Sequence, residues 1–308
     1  MTLTTTSPMT NTDTLANTLV DLHSRMVAGQ PLSTDEARRP EDAAHSPEQA
    51  AVLQACRRLG FVEHDARCVA QAWAAQTRRQ GHFSAQDWPQ EAADFGMSPW
   101  PRENAFPPCP KELGLYAVLP DAEWVKRMAN AGVPTVQLRF KSSDPRAVRQ
   151  EIEAAVRAVE GTSSLLFIND HWEAAIDAGA YGLHLGQEDL AQAPLERIRA
   201  SGIRLGVSTH GYAEMLLADQ VSPSYLALGA VFPTTLKRMA TAPQGTGRLQ
   251  AYARLMQAYP LVAIGGIDQD KLPDVIRSGV GSVAMVRAII GSPDPEAAVK
   301  SLMQMMRR

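Results

Sequence analysis

Eight times between Leu115 and the end of this 308-residue chain, a short run of apolar and β-branched residues ends in polar residues and gives way to an amphipathic helical segment. The runs start at Leu115, Thr135, Ser164, Gly182, Arg204, Tyr225, Leu261 and Ser282. Between and after them, residues 122–131, 145–159, 173–178, 195–201, 212–220, 249–259, 271–278 and 295–306 carry apolar side chains at helical spacing. Strands this short and this continuously apolar are buried on both faces, as in a parallel sheet covered by helices. Eight strand–helix repeats predict a (β/α)8 barrel, the TIM-barrel architecture, whose strand ends meet in one mouth. The competing doubly wound sheet places a glycine-rich turn after its first strand. Here that strand ends in Leu119-Pro120-Asp121.

The polar residues at the strand ends therefore converge. In Gln137-Leu138-Arg139-Phe140-Lys141, alternation puts Gln137, Arg139 and Lys141 on one face and Leu138 and Phe140 on the other. The apolar pair is expected outward under the helices and the polar three in the mouth, where two cations imply an anionic partner. Asn169-Asp170 ends the third strand and Asp189 follows the fourth. Two carboxylates opposite cations suit a Mg²⁺ that bridges to a diphosphate, because Mg²⁺ takes few carboxylates plus substrate oxygens; the alternative is that both merely cap helices. Glu188 is expected to be a solvated acid of a first helical turn. His171, His184 and His210 show no zinc spacing, and His184 and His210 are read as scaffold residues. Ser208 is read as a polar substrate contact, not a nucleophile. Gly265-Gly266 after the seventh strand and Val286-Arg287-Ala288 after the eighth stand where such barrels hold a phosphate on backbone N–H groups. Thr234 and Lys237 end the sixth strand and can reach the same region.

Upstream the pattern differs. Residues 14–30 and 46–81 have helical periodicity, so residues 1–110 are expected to form a helical extension with a loose start. Four prolines within 101–111 read as a linker or a stiff connecting loop ahead of a barrel domain over 112–308. Trp73, Phe83, Trp88, Phe95 and Trp100 are expected to form a small core or a strap packed on the barrel. A net charge of −3 gives no bulk attraction for nucleic acid or an anionic membrane. Cys56, Cys68 and Cys109 have no metal-finger spacing and read as reduced thiols of a cytoplasmic protein. Neither a secretory signal nor an apolar run of ~18 residues occurs.

From about residue 114 to the end, the chain closely resembles the thiamine-phosphate synthase family. The resemblance rests on Gln-Leu-Arg-Phe-Lys, Ile-Asn-Asp, Gly-Leu-His-Leu-Gly-Gln-Glu-Asp, Leu-Gly-Val-Ser-Thr-His, Val-Phe-Pro-Thr-Thr-Leu-Lys and Ala-Ile-Gly-Gly-Ile, all in order. It implies a transferase that joins 4-amino-2-methyl-5-hydroxymethylpyrimidine diphosphate to a thiazole phosphate, in either its hydroxyethyl or its carboxylated form. Diphosphate leaves first, and thiamine monophosphate is the product. By position, the resemblance implies that Arg139, Lys141, Ser208 and Lys237 are catalytic. The run Gln137, Leu138, Arg139, Phe140 and Lys141, with Asn169, Ser208 and Lys237, would lie around the pyrimidine diphosphate. Thr234, Thr235, Leu236, Gly266, Val286 and Arg287 would lie around the thiazole phosphate, and Asp170 and Asp189 would hold Mg²⁺. The partners implied are small phosphorylated molecules, with a homo-oligomer left open.

The chain departs from the family pattern at Phe140, where a glutamate is common, at Leu236, where a threonine is usual, and at Arg287, where a serine is common. The last two concern the thiazole phosphate, and Arg287 can replace a lost hydroxyl with a charge-assisted contact. A thiazole tautomerase of the same superfamily would not need the diphosphate and Mg²⁺ residues. A barrel kept as a non-catalytic regulator is the other alternative.

Overall fold

A computed structural model describes residues 11–234 and 241–307. The chain divides into two compact units, Met1–Ser98 and Pro99–Arg308.

In the first unit the main helices are Asn11–Leu22, Pro47–Arg58 and Glu63–Gln80. Ser46 caps the second, its side chain accepting from the Gln49 amide at 3.3 Å, with Pro47 pre-set for the first turn. The helical periodicity over 46–81 resolves into two helices that separate at Gly60. Its φ of +84° leaves the helix, and a Cβ there would lie 1.9 Å from the Ala28 carbonyl oxygen. Trp73, Trp88, Phe83, Phe61 and His23 pack ring against ring at 5.1–5.8 Å, and the Trp73 indole donates to the Ser84 carbonyl. Of the aromatics expected to cluster, Trp73, Phe83 and Trp88 thus share a core in this unit, whereas Trp100 belongs to the second unit. Arg57, 2 % exposed, is held by Asp42 at 2.6 and 3.0 Å, Glu63 at 2.9 and 3.0 Å and the Ala37 carbonyl at 2.9 Å.

In the second unit the strands are β1 (Leu115–Leu119), β2 (Thr135–Leu138), β3 (Leu165–Asn169), β4 (Gly182–Leu185), β5 (Arg204–Thr209), β6 (Tyr225–Leu228), β7 (Leu261–Ala263) and β8 (Gly281–Met285). All neighbours pair in parallel and β8 closes on β1, so the expected (β/α)8 barrel is what forms. Tyr116, Val118, Phe167, Tyr225, Ala227, Val262 and Ala284 fill its interior, with Leu113 against them. Two glycines make room for the large rings. A Cβ at Gly182 would lie 2.2 Å from the Phe167 ring, and one at Gly206 would lie 2.1 Å from the Tyr225 ring. Each fully buried ring contributes about 1.5–3 kcal/mol.

The proline-rich stretch is not a free linker. Trp100 packs on Tyr259 with centroids 5.0 Å apart, and Arg102 pairs with Asp219. Buried Phe106 donates its amide to the Ser222 carbonyl at 3.0 Å and lies under the Arg199 guanidinium. Arg204 donates to the Pro108 carbonyl at 3.0 Å, and Lys111 to the Tyr259 carbonyl at 2.6 Å. The prolines stop a helix, and the extended chain they leave lies as a strap near the starts of β5 to β7. The thiol of Cys109, a residue of the strap, packs half-buried against the barrel's interior cluster, and burial pushes it up to about 12.

Candidate functional site

At the carboxyl ends of the strands lies a cavity of about 940 Å³. From β2 come Gln137, Arg139, Phe140 and Lys141, from β3 Asn169 and Asp170, and from β4 His184 and Asp189. Ser208, Thr209 and His210 come from β5, Thr234 from the loop after β6, Gly265 and Gly266 from β7, and Val286 and Arg287 from β8. The residues expected at the mouth thus do meet there, with three qualifications. Leu138 is 1 % exposed and does not line the cavity. Phe140, expected to face outward, does line it, because β2 ends at Leu138 and strand alternation does not extend to the residues beyond. Thr235, Leu236 and Lys237 lie outside the described residues.

The third-strand end is built for its carboxylate. Asp170 adopts φ +66°, a left-handed conformation uncommon for a side-chain-bearing residue, and its amide donates to the His184 carbonyl at 3.0 Å. Crowding by surrounding protein atoms, and next the like charge of Asp189, push its carboxyl above the ordinary value, while Arg139 and His171 work the other way. Two carboxylates that act on each other in an open mouth fit a small hard dication. Asp189 sits in the first turn of the helix Gln187–Gln192, and Glu188 beside it is exposed and outside the cavity. Among the described residues no group of three or more His, Cys, Asp and Glu is gathered as a metal cluster.

Two histidines act as scaffold. His210 bonds Glu214 at 2.6 Å, and Glu214 also accepts the His210 amide at 2.9 Å, fixing the start of the helix Tyr212–Val221. His184 bonds Ser208 Oγ at 2.8 Å through Nε2 and the buried Tyr225 hydroxyl at 2.6 Å through Nδ1.

The glycine pair has a structural cause of its own. Gly265 (φ +105°) and Gly266 (φ +63°) face the loop after β6, where a Cβ would come within 2.5 Å of Ala230 Cβ and 2.4 Å of the Pro233 oxygen respectively. That loop is tied down by Val231 and Phe232 amides donating to Ile264 and Gly265 carbonyls. The sixth strand, expected to end near Thr234 and Lys237, stops at Leu228 because this segment bends over the turn instead. Sequence reasoning missed Asp268 and Lys271, which also line the mouth, with Lys271 Nζ donating to the Gly266 carbonyl at 3.1 Å and pairing with Asp268. Their only signal was a lysine three residues after an aspartate, just past the glycine pair.

Comparison with known proteins places this geometry. Residues 115–289 match the family described as thiamine monophosphate synthase. The thiamine-phosphate synthase of Neisseria meningitidis serogroup B is 51 % identical over 196 residues, covering 64 % of this chain and 96 % of that protein. The thiamine-phosphate synthase of Cronobacter sakazakii is 48 % identical over 200 residues, covering 65 % and 95 %. Among solved structures, thiamine phosphate pyrophosphorylase from Pyrococcus furiosus superposes with a TM-score of 0.55 at 27 % identity, covering 63 % of this chain and 96 % of that one.

Proposed function

We propose that this chain, which belongs to the thiamine monophosphate synthase family and has its transferase activity, uses the barrel mouth as two adjoining anion sites. On the β2 to β5 side, Arg139 and Lys141 take the diphosphate of 4-amino-2-methyl-5-hydroxymethylpyrimidine diphosphate, with Gln137, Asn169 and Ser208 against its remaining polar atoms. On the β6 to β8 side, Thr234, Gly266, Val286 and Arg287 surround the thiazole phosphate. By the resemblance alone, Lys237 is assigned to the diphosphate and Thr235 and Leu236 to the thiazole phosphate.

Asp170 and Asp189 would hold Mg²⁺, and when bound it would offset charge on the departing diphosphate. The carbon–oxygen bond to diphosphate breaks first, leaving a pyrimidine methylene cation that the thiazole nitrogen captures. This reaction abstracts no proton in its bond-making step, so it needs alignment and cations more than a general base. The cationic pair Arg139 and Lys141 in one cavity with the crowded Asp170 and Asp189 is the observation that carries the reading. Among the described residues Cys56, Cys68 and Cys109 form no disulfide, which fits a reducing compartment such as the cytoplasm.

Incubating the purified chain with both substrates and Mg²⁺ should yield thiamine monophosphate and diphosphate in equal amounts. A chelator should stop the reaction and added Mg²⁺ restore it. No product, or turnover indifferent to chelation, overturns the proposal.

A further inference from the structure

Five polar side chains from five strands form one hydrogen-bonded path through the barrel interior. Gln137 Nε2 on β2 donates to the Tyr116 hydroxyl on β1 at 3.3 Å. That hydroxyl meets the Tyr225 hydroxyl on β6 at 2.7 Å, which meets His184 Nδ1 on β4 at 2.6 Å. His184 Nε2 meets Ser208 Oγ on β5 at 2.8 Å. Both ends of the path, Gln137 and Ser208, line the mouth, and its middle is buried.

Counting protons gives the path a direction. A tyrosine hydroxyl has one proton, and a neutral imidazole has one donor and one acceptor nitrogen. Gln137 donates to Tyr116, so the Tyr116 proton goes to the Tyr225 oxygen. The Tyr225 proton then goes to His184 Nδ1, which leaves the imidazole proton on Nε2 and aimed at Ser208 Oγ. Ser208 has thereby accepted from inside the barrel, and its own proton is left for the mouth. Burial, the largest cause for each phenol, pushes Tyr116 and Tyr225 upward, so both keep their protons.

The path is also held rigidly. The Tyr225 ring fills the space that Gly206 leaves open, stacks against His184 at 5.6 Å and 25°, and receives the edge of Phe167 at 5.1 Å and 81°. Rings fixed this way fix the hydroxyl directions as well.

We propose that Tyr116 and Tyr225, acting through His184, are positioning residues that set Ser208 as a hydrogen-bond donor to an acceptor atom of the pyrimidine diphosphate. This rests on Ser208 touching that substrate, as proposed above. Two measurements separate the ideas. In ¹⁵N-histidine spectra of the intact protein, with His184 assigned by its loss in His184→Gln, Nε2 should carry the proton and Nδ1 should not. A proton on Nδ1 overturns the direction of the path without involving catalysis. In kinetics, Tyr225→Phe should lower kcat/KM for the pyrimidine diphosphate about tenfold, and Ser208→Ala by at least as much. In the Ser208→Ala background, Tyr225→Phe should cost less than about twofold, because the group it orients is gone. An equal tenfold loss in both backgrounds would make Tyr225 merely structural and overturn the proposal. An unchanged kcat/KM in Ser208→Ala would instead overturn the placing of Ser208 on the substrate. Tyr116→Phe, which cuts a different link, repeats the cycle if melting shows that Tyr225→Phe does not fold.

Discussion

Lys141 and Asp170 are both exposed in the cavity and make no contribution to the barrel core, so their loss should act on turnover and leave the fold intact. Lys141→Ala and Asp170→Asn, the latter keeping a residue type that tolerates the left-handed backbone, are each expected to lower kcat about 100-fold or more, the scale of removing a charge-stabilising group, with an unchanged melting curve. Near-normal rates with unaltered Mg²⁺ dependence would remove both from the site. Gly266→Ala should act the other way round, on stability first. Its φ of +63° disfavours a side chain, and the new methyl meets the Pro233 oxygen at 2.4 Å, so a loss of about 1–3 kcal/mol should appear in urea unfolding. Residue types at strand ends were legible because a closed barrel leaves its polar groups one place to go. The direction of Phe140 was not, since it depends on β2 ending at Leu138, a tertiary fact. The glycine pair is visible in the sequence, but its first cause, the loop passing over it, joins residues about 34 apart and leaves no local trace.

Elements show the same division. Strand starts were readable to within a residue because apolar runs are bounded by turns and helix caps. The Tyr116 and Tyr225 path was invisible, because two tyrosines in apolar strands look like ordinary core. In the helical unit the residue that ties elements together is Arg57, which no periodicity singles out. Arg57→Ala strands the buried Asp42 carboxylate and should cost about 3–5 kcal/mol, measured by urea unfolding. The Arg57 hydrogen bonds to Glu63, opposed by burial, hold that carboxyl down from 4.5 to about 2. A depressed carboxyl stabilises the fold above its unfolded value and ceases to do so as pH falls toward its folded one. Amide protection factors within residues 47–80, in which the intrinsic pH dependence of exchange is divided out, should therefore fall as pH drops from ~4.5 to ~2. Glu63→Gln should flatten that response, and an identical profile in the variant would show that Glu63 is not its source.

For the whole molecule, the division at Ser98 and Pro99 means that the strap belongs to the barrel unit. A chain beginning at Pro99 should keep the barrel's melting temperature, whereas one beginning at Pro110 loses Trp100, Arg102 and Phe106 and deprives buried Asp219 of its cation. The shorter chain should be destabilised by about 3–5 kcal/mol, seen in scanning calorimetry. Equal melting of the two would make the strap a bystander. Proline content revealed that no helix runs there, but not what the extended chain rests on, since its partners are made far later. Arg102 precedes Asp219 by 117 residues, and at ~5–20 residues per second the ribosome needs roughly 6–23 s to supply that partner. The strap is thus the first part of the barrel to be synthesised and can dock only after β5 and the helix ending at Val221 exist. Cys109 keeps the record: on a ribosome stalled before Asp219 it should react readily with an alkylating reagent, and in the finished chain, where it is half-buried and its thiol is pushed up to about 12, it should react far more slowly.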